Sequence, residues 1–302
     1  MVMAIKAKHA HTTPSHPVLS GFSSVLGLVL ASLPLSILAH SGLHEQIEDA
    51  TRRIAAAPAN PQGYLQRGDL YRIHRDWDRA LADFGKALQL DATASSAELG
   101  LGRTWLDQGA PQQALPHLNR ALARQPGNVR ALVTRAQVWR TLGQPLAAAA
   151  DYSRAIEQVP EPGKPLPEYY LERAHAYAAA GDPHIGKALQ GLDEGMQVLG
   201  NIQSLALYAV ELETQRGNVD GALLRLDPLL AGASRKEFLL LERGDILVAA
   251  NREQEARQDF LAARAAIAAL PPRHRHTRSV QQLETTLTAR LQAADQQADH
   301  GQ

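Results

Sequence analysis

The chain has 302 residues, of which 45% are hydrophobic, and this composition is sufficient for a buried core, so global disorder is excluded. Lys and Arg together number 31, as do Asp and Glu, so the chain lacks the net positive field of a dedicated nucleic-acid binder. It contains no cysteine, which excludes disulfides, zinc–thiolate sites and thiol catalysis.

The N-terminal segment has the charge and hydropathy pattern of an export signal. Two lysines precede an apolar run from Val18 to Ala39, and the next formally charged residue is Glu45. This pattern predicts a signal peptide over residues 1–39, with cleavage after Ala39. An uncleaved anchor is the alternative, because a run of this length can just span a bilayer. We expect the rest of the chain in the periplasm, or on the periplasmic face of the inner membrane if the anchor is kept.

A 34-residue period begins after this segment. Ala80, Phe84 and Ala87 lie on one face of a helix-like stretch, and the same small–large–small order returns twice at this step. The preceding stretch repeats in phase, as GDLY, GRTW and AQVW. Helical spacing of the apolar residues, with turn residues at the same step, predicts helix–turn–helix units without strands. The equivalent residues in the next two units are Ala114, Leu118 and Ala121, then Ala148, Tyr152 and Ala155.

Residues 64–91 resemble the tetratricopeptide repeat, both in the 34-residue period and in the order aromatic, Gly, aromatic, Ala, aromatic, Ala. The resemblance implies an all-α, right-handed α-solenoid of about six helix–turn–helix repeats with N- and C-terminal capping helices, which end repeats require. The predicted segments are a capping helix over 40–60, repeats 1–3 over 61–160, a proline-rich linker over 161–168, repeats 4–6 over 169–270, and a capping helix with a tail over 271–302.

Several segments depart from a regular repeat. The four prolines between Pro160 and Glu168 predict a non-helical segment, which is a plain loop between repeats, a ligand-contacting loop or a bend in the superhelix. The fourth repeat, starting near Tyr169, needs about two extra residues to bring Ala188 into place. The fifth is the least regular, with Glu213 where an aromatic residue is expected. Beyond the sixth, an apolar stripe predicts a capping helix; its residues are Val280, Leu283, Leu287 and Leu291.

The sequence offers no motif for catalysis or for a cofactor. The stretch HEQIE, from His44 to Glu48, lacks the second histidine of a zinc-protease helix. No combination of Ser, His and Asp indicates nucleophilic catalysis, so we predict no enzymatic activity and no cofactor. Cleavage after Ala39 would make His40 the N-terminal residue, and its amine and imidazole can chelate copper, with His44 four positions on. Copper handling is therefore the alternative function. The other interpretation of these histidines is that they belong to a polar N-terminus that binds no metal.

The resemblance also implies that the first helices of the repeats line a concave groove, which commonly binds an extended or helical segment of another protein. We therefore expect a non-catalytic protein–protein interaction scaffold whose partner is acidic where it meets repeats 1–3, with ordinary solvated charge as the alternative. No nucleic-acid partner is expected, and membrane contact only if the N-terminal segment is uncleaved. The groove positions are Arg72, Arg103, Gln137, Arg140, His175, Glu211 and Asp245.

Overall fold

The computed structural model describes residues 35–160 and 162–300, with side chains described over 42–160 and 162–294. The chain divides into two units, Met1–Gly42 and Leu43–Gln302. Most of the predicted export signal, residues 1–34, lies outside the described residues. Among the described helices, none combines the length and the hydropathy needed to cross a membrane.

The described residues form helices and no strands, and six consecutive helix pairs follow the first helix. Pair 1 consists of α2 and α3, and pair 6 of α12 and α13. This confirms the all-α solenoid of helix–turn–helix units with a helix at each end. The helices are α1 Leu35–Ala56, α2 Pro61–Ile73, α3 Trp77–Leu90, α4 Ser95–Asp107, α5 Pro111–Arg124, α6 Val129–Thr141, α7 Pro145–Glu157, α8 Pro167–Ala179, α9 Ile185–Leu199, α10 Gln203–Gln215, α11 Val219–Gly232, α12 Glu237–Ala249, α13 Glu253–Ala268, α14 Pro272–Arg275 and α15 Arg278–His300.

The turn inside pairs 1, 2, 3, 5 and 6 has a residue with left-handed backbone at the same repeat position. Glycine occupies it in pairs 2, 3 and 5, with φ of +80°, +69° and +73° at Gly109, Gly143 and Gly217. Glycine has no Cβ, so it adopts this conformation without strain. Arg75 (φ +61°) and Asn251 (φ +57°) occupy it in pairs 1 and 6. The tight turn is thus a property of the repeat position, whichever residue occupies it.

Large side chains of the second helices fill the space opposite glycines of the first helices. Phe84 in α3 is 1% exposed, and its ring lies against Gly68 of its own pair and Gly100 of the next pair. A Cβ added at Gly100 would lie 2.4 Å from this ring, and one at Gly68 would lie 3.0 Å from it. Large residues packed against small ones bring these helices into close contact, as the repeat pattern predicts.

Replacing Gly102 by Leu tests this packing. A Cβ at Gly102 would lie 2.6 Å from Cγ of the fully buried Leu118. We expect Gly102→Leu to lower the free energy of unfolding by about 1 to 3 kcal/mol, because overpacking displaces the buried neighbour. The matched control is Gly85→Leu in α3, where a Cβ meets nothing within 4 Å. In that variant the free energy of unfolding should rise by about 0.5 to 1 kcal/mol, since glycine is a poor helix former. Urea denaturation followed by far-UV dichroism measures the free energy of unfolding of each variant. Equal values for the two variants would contradict the close approach at Gly102.

Repeated arginine–aspartate pairs join the two helices of pairs 1, 3 and 6. Each arginine of the first helix donates two hydrogen bonds, of 2.6 to 2.8 Å, to an aspartate 16 residues later. Its Nη1 also reaches a residue 16 positions earlier, in the preceding helix, so one guanidinium connects three helices. These pairs were not predicted from the sequence, although both residue types recur in register. They are Arg67–Asp83, Arg135–Asp151 and Arg243–Asp259.

Pair 2 replaces this contact by a cluster around a buried carboxylate. Glu98 is 4% exposed, and its oxygens lie 2.8 Å from Nδ1 of His117 and 2.7 Å from Nε of Arg120. Burial disfavours the charged form of Glu98, but the bonds to Arg120 and His117 outweigh it, so the pKa of Glu98 lies below its usual value. The cluster holds α4 against α5 in place of the arginine–aspartate pair.

Pair 4 carries the predicted irregularities. Residues 162–166 are non-helical, but Pro167 and Glu168 begin α8, so the prediction of a non-helical segment through Glu168 is wrong for these two residues. Proline fits the first turn of a helix, where its missing N–H has no helical partner anyway. A short 3₁₀ turn, Asp182–His184, accommodates the extra residues, and Ala188 is fully buried.

Helix α15 covers the last pair. Val280, Leu283, Leu287 and Leu291 are at most 6% exposed. They belong to the same apolar cluster as Phe260 of α13. The predicted apolar stripe is therefore buried.

Candidate functional site

The seven predicted groove residues all lie in first helices of pairs. Arg72 is in α2, Arg103 in α4, Gln137 and Arg140 in α6, His175 in α8, Glu211 in α10 and Asp245 in α12. Five of them line two surface cavities. A cavity of about 450 Å³, here called the N-terminal cavity, contains Arg103 and Gln137. A cavity of about 860 Å³, here called the C-terminal cavity, contains His175, Glu211 and Asp245.

Three first helices, α8, α10 and α12, form the C-terminal cavity. Leu207 and Leu241 occupy equivalent positions 34 residues apart, and Leu171 lies 36 residues before Leu207, because pair 4 has two extra residues. The full lining is Leu171, His175, Ser204, Leu207, Tyr208, Glu211, Thr214, Gln215, Phe238, Leu241, Glu242, Asp245, Ile246 and Ala249. Phe238 and Glu242 were not among the predicted groove residues, which in this pair include only Asp245.

The C-terminal cavity combines apolar and acidic side chains. Phe238 is 44% exposed, a large fraction for a phenyl ring in a folded chain. Burial raises the pKa of Glu242, and the nearby Glu211 raises it further. Asp245 accepts a 2.7 Å hydrogen bond from Nε of Arg290 in α15. The surface thus offers apolar contact area next to a concentration of negative charge.

An aromatic pair lies at one side of this cavity. The rings of His175 and Tyr208 have centroids 4.0 Å apart and are tilted by 35°. Burial, together with Glu211 and Glu172, raises the pKa of Tyr208 to about 12. The phenol is therefore neutral at physiological pH and can donate a hydrogen bond.

The three predicted groove arginines lie near carboxylates of this chain. Arg72 is 13% exposed, and its Nη1 lies 2.5 Å from Oδ2 of Asp107. Arg103 lies 3.5 Å from Asp69, and burial, reinforced by Arg72, lowers its pKa. The sequence did not predict these acidic neighbours, because they lie in the adjacent helix pair.

Arg140 shows the same arrangement further along, with Nη1 3.0 Å from Oε2 of Glu172 in α8. The N-terminal cavity adds one more cation, Arg130, which has no described carboxylate within ion-pair distance. Arg130 was not among the predicted groove residues.

The described side chains supply no ligand set for a metal. They contain no group of three or more His, Asp or Glu residues placed to hold an ion. The ring of His44 lies 5.0 Å from that of His74, in an edge-to-face arrangement. The side chain of His40 lies outside the described residues, so the copper hypothesis stays a prediction.

Comparisons with known proteins agree with the repeat geometry. The tetratricopeptide repeat family profile matches residues 65–129 and 99–161. Human tetratricopeptide repeat protein 16 is 30% identical over 138 residues, which are 41% of this chain, and the chain spans only 16% of that relative's length.

Two solved structures are similar in fold. The C-terminal part of a TPR repeat-containing protein from Cytophaga hutchinsonii has a TM-score of 0.60 at 17% identity, over 82% of this chain and 96% of that one. YrrB, described as a TPR protein with an unusual peptide-binding site, has a TM-score of 0.50 at 22% identity, over 61% of this chain and 92% of that one. The 34-residue units and the glycine-packed helix pairs agree with the family match, so the chain contains tetratricopeptide repeats over residues 65–161.

Proposed function

We propose that this chain is a non-catalytic scaffold that binds a segment of another protein along the first helices of its repeats. The fold supports a role in protein–protein interaction in general. The observation that carries the proposal is the C-terminal cavity, where successive repeats present Leu171, Leu207, Phe238 and Leu241. Apolar side chains grouped in one open cavity are typical of a binding surface. The unusual peptide-binding site of YrrB is consistent with this role.

For repeats 1–3 we propose an acidic partner segment. Arg103 and Arg130 line the N-terminal cavity, and Arg130 has no carboxylate partner among the described residues. Arg72, Arg103 and Arg140 already lie near internal carboxylates, so a partner has to share or displace these pairs. Each exposed pair contributes only about 0.2 to 1 kcal/mol, so most of the affinity has to come from elsewhere on the surface.

Differential capture with two apolar-to-polar variants tests the groove. Phe238→Ser removes the 44% exposed ring of the C-terminal cavity, and Leu224→Ser removes a 72% exposed side chain of the second helix α11. We expect proteins retained by the unmodified chain to be retained equally by Leu224→Ser. Retention by Phe238→Ser should fall about tenfold or more, as for a central apolar contact. Quantitative mass spectrometry of the retained proteins measures this, and equal retention by both variants would place the binding surface elsewhere.

We also propose that the chain is exported to the cell envelope, on the evidence of its N-terminal sequence pattern. Expression in a Gram-negative host should give a periplasmic product whose N-terminal residue is His40, as read by N-terminal sequencing. A full-length product in the inner membrane would favour the anchor. A cytoplasmic product would contradict export in either form.

A further inference from the structure

We propose that the C-terminal cavity selects a protein segment in which a lysine or arginine stands next to aliphatic or aromatic side chains. This inference rests on the proposed function, because it assigns a partner chemistry to the same groove. The partner segment would then be acidic along repeats 1–3 and cationic and apolar along repeats 4–6.

The charge of the cavity is the first argument. Glu211, Glu242 and Asp245 lie together on α10 and α12. Glu211 accepts a 3.0 Å hydrogen bond from its neighbour Gln215, and no described cation lies within ion-pair distance of Glu211 or Glu242. Two carboxylates are thus left without a counter-charge in this open cavity, and the partly buried Glu242 is less well hydrated than a fully exposed carboxylate, which favours a cation beside it.

The mutual effect of these carboxylates supports the same conclusion. Burial and the charge of Glu211 make ionisation of Glu242 unfavourable, which the raised pKa of Glu242 records. A cation placed between the two residues removes this repulsion. Binding of a cationic side chain and ionisation of Glu242 therefore favour each other.

Arg290 shows how a cationic side chain fits here. It reaches from α15 across the last repeat and donates to Oδ1 of Asp245 at 2.7 Å, with both side chains partly exposed. The chain itself thus neutralises one of the three carboxylates with a guanidinium. The other two are left for an external cation of the same chemistry.

The apolar wall determines what accompanies the cation. Leu207, Leu241 and Phe238 border the carboxylates, and the neutral ring of Tyr208 lies beside Glu211. The methylene stem of Lys or Arg can pack on such a surface while its charged end pairs with a carboxylate. Neighbouring apolar residues of the partner would fill the rest of the 860 Å³.

Selection from a library of random 12-residue peptides tests the inference without a known partner. The library is selected against the full chain, against the double variant Glu211→Gln and Glu242→Gln, and against Phe238→Ser. A control double variant, Glu157→Gln and Glu284→Gln, removes the same charge from exposed positions of α7 and α15. Thermal melts followed by dichroism establish that each variant is folded.

We expect the full chain and the control to enrich peptides with Lys or Arg within two positions of Leu, Ile, Phe or Met. Synthetic versions of the enriched peptides should bind the cavity double variant about fivefold or more weakly, as for the loss of two ion pairs. Binding should also weaken as salt rises. Replacing the cationic residue of a peptide by norleucine should give the same loss, which provides a test independent of how the protein variants fold.

The outcomes separate the two proposals. This inference would be overturned if the enriched peptides lacked a cation, or if cationic peptides bound the cavity double variant as tightly as they bind the full chain. In either case, weaker binding to Phe238→Ser would still identify the groove as the binding site. No enrichment by the full chain, or enrichment unaffected by Phe238→Ser, would overturn the groove proposal and this inference with it.

Discussion

Truncation after Leu270, which removes α14 and α15, is expected to leave a chain that aggregates. The deleted part includes Val280, Leu283, Leu287 and Leu291, all nearly fully buried. Burial of each such side chain contributes about 1.5 to 3 kcal/mol to the free energy of unfolding. Removal of α15 also exposes the apolar face of α13. Size-exclusion chromatography should show large species in place of the one formed by the full chain, because an array without its cap exposes a contiguous apolar face.

Two further variants make this test specific to the apolar stripe. Truncation after Ala294 keeps all four stripe residues, so we expect it to elute as the full chain does and to keep the original melting temperature. Leu287→Ala, at a position 1% exposed, should lower the free energy of unfolding by about 2 to 5 kcal/mol. A monomeric chain truncated after Leu270 with an unchanged melting temperature would show that α15 does not stabilise the last repeat.

Asp151→Ala is expected to lower the free energy of unfolding by about 2 to 4 kcal/mol. It removes both hydrogen bonds from the guanidinium of Arg135, whose side chain is 16% exposed and can recover little hydration. Breaking one side of a buried pair leaves an uncompensated charge, and the partial exposure of Arg135 moderates the cost. Asn119 still accepts from Nη1 but carries no charge to replace the aspartate.

The double variant Arg135→Met and Asp151→Leu distinguishes the destabilisation caused by an unpaired Arg135 from the net contribution of the ion pair to the free energy of unfolding. Apolar residues in place of a buried pair are commonly neutral, so we expect the double variant to be more stable than Asp151→Ala alone. Asp220→Ala, at an exposed pair with Arg252, should leave the stability unchanged. Urea denaturation measures all three, and equal effects of Asp151→Ala and Asp220→Ala would contradict the structural role of these pairs.

The repeat period predicts the helix pairs well, because it records contacts that are nearly local in the chain. Leu118 and Gly102 lie 16 residues apart in one helical hairpin, so the same spacing brings them together in every regular repeat. The 3₁₀ turn before α9 could not be placed by this period, since the two extra residues of pair 4 interrupt it.

For the groove residues, the sequence predicts the helix and the repeat position of each one but not its side-chain contacts. His175, Glu211 and Asp245 lie in one cavity because they occupy equivalent positions in successive first helices. The ion pair of Arg72 with Asp107 depends on side-chain conformation and on the offset between neighbouring repeats, which the sequence pattern does not specify. Arg290 reaches Asp245 from the terminal helix, outside the repeats altogether, so no repeat position indicates it.

Unfolding of the first repeat also affects the second repeat, because both contact the ring of Phe84. The ring occupies the space in front of Gly68 and Gly100, which belong to consecutive repeats. We expect unfolding of the first repeat to withdraw the ring from α4 as well, which would leave a cavity beside the second repeat. Phe84 thus couples these neighbours together with the ion pairs Arg72–Asp107 and Arg103–Asp69, so we expect the two N-terminal repeats to unfold as one cooperative unit.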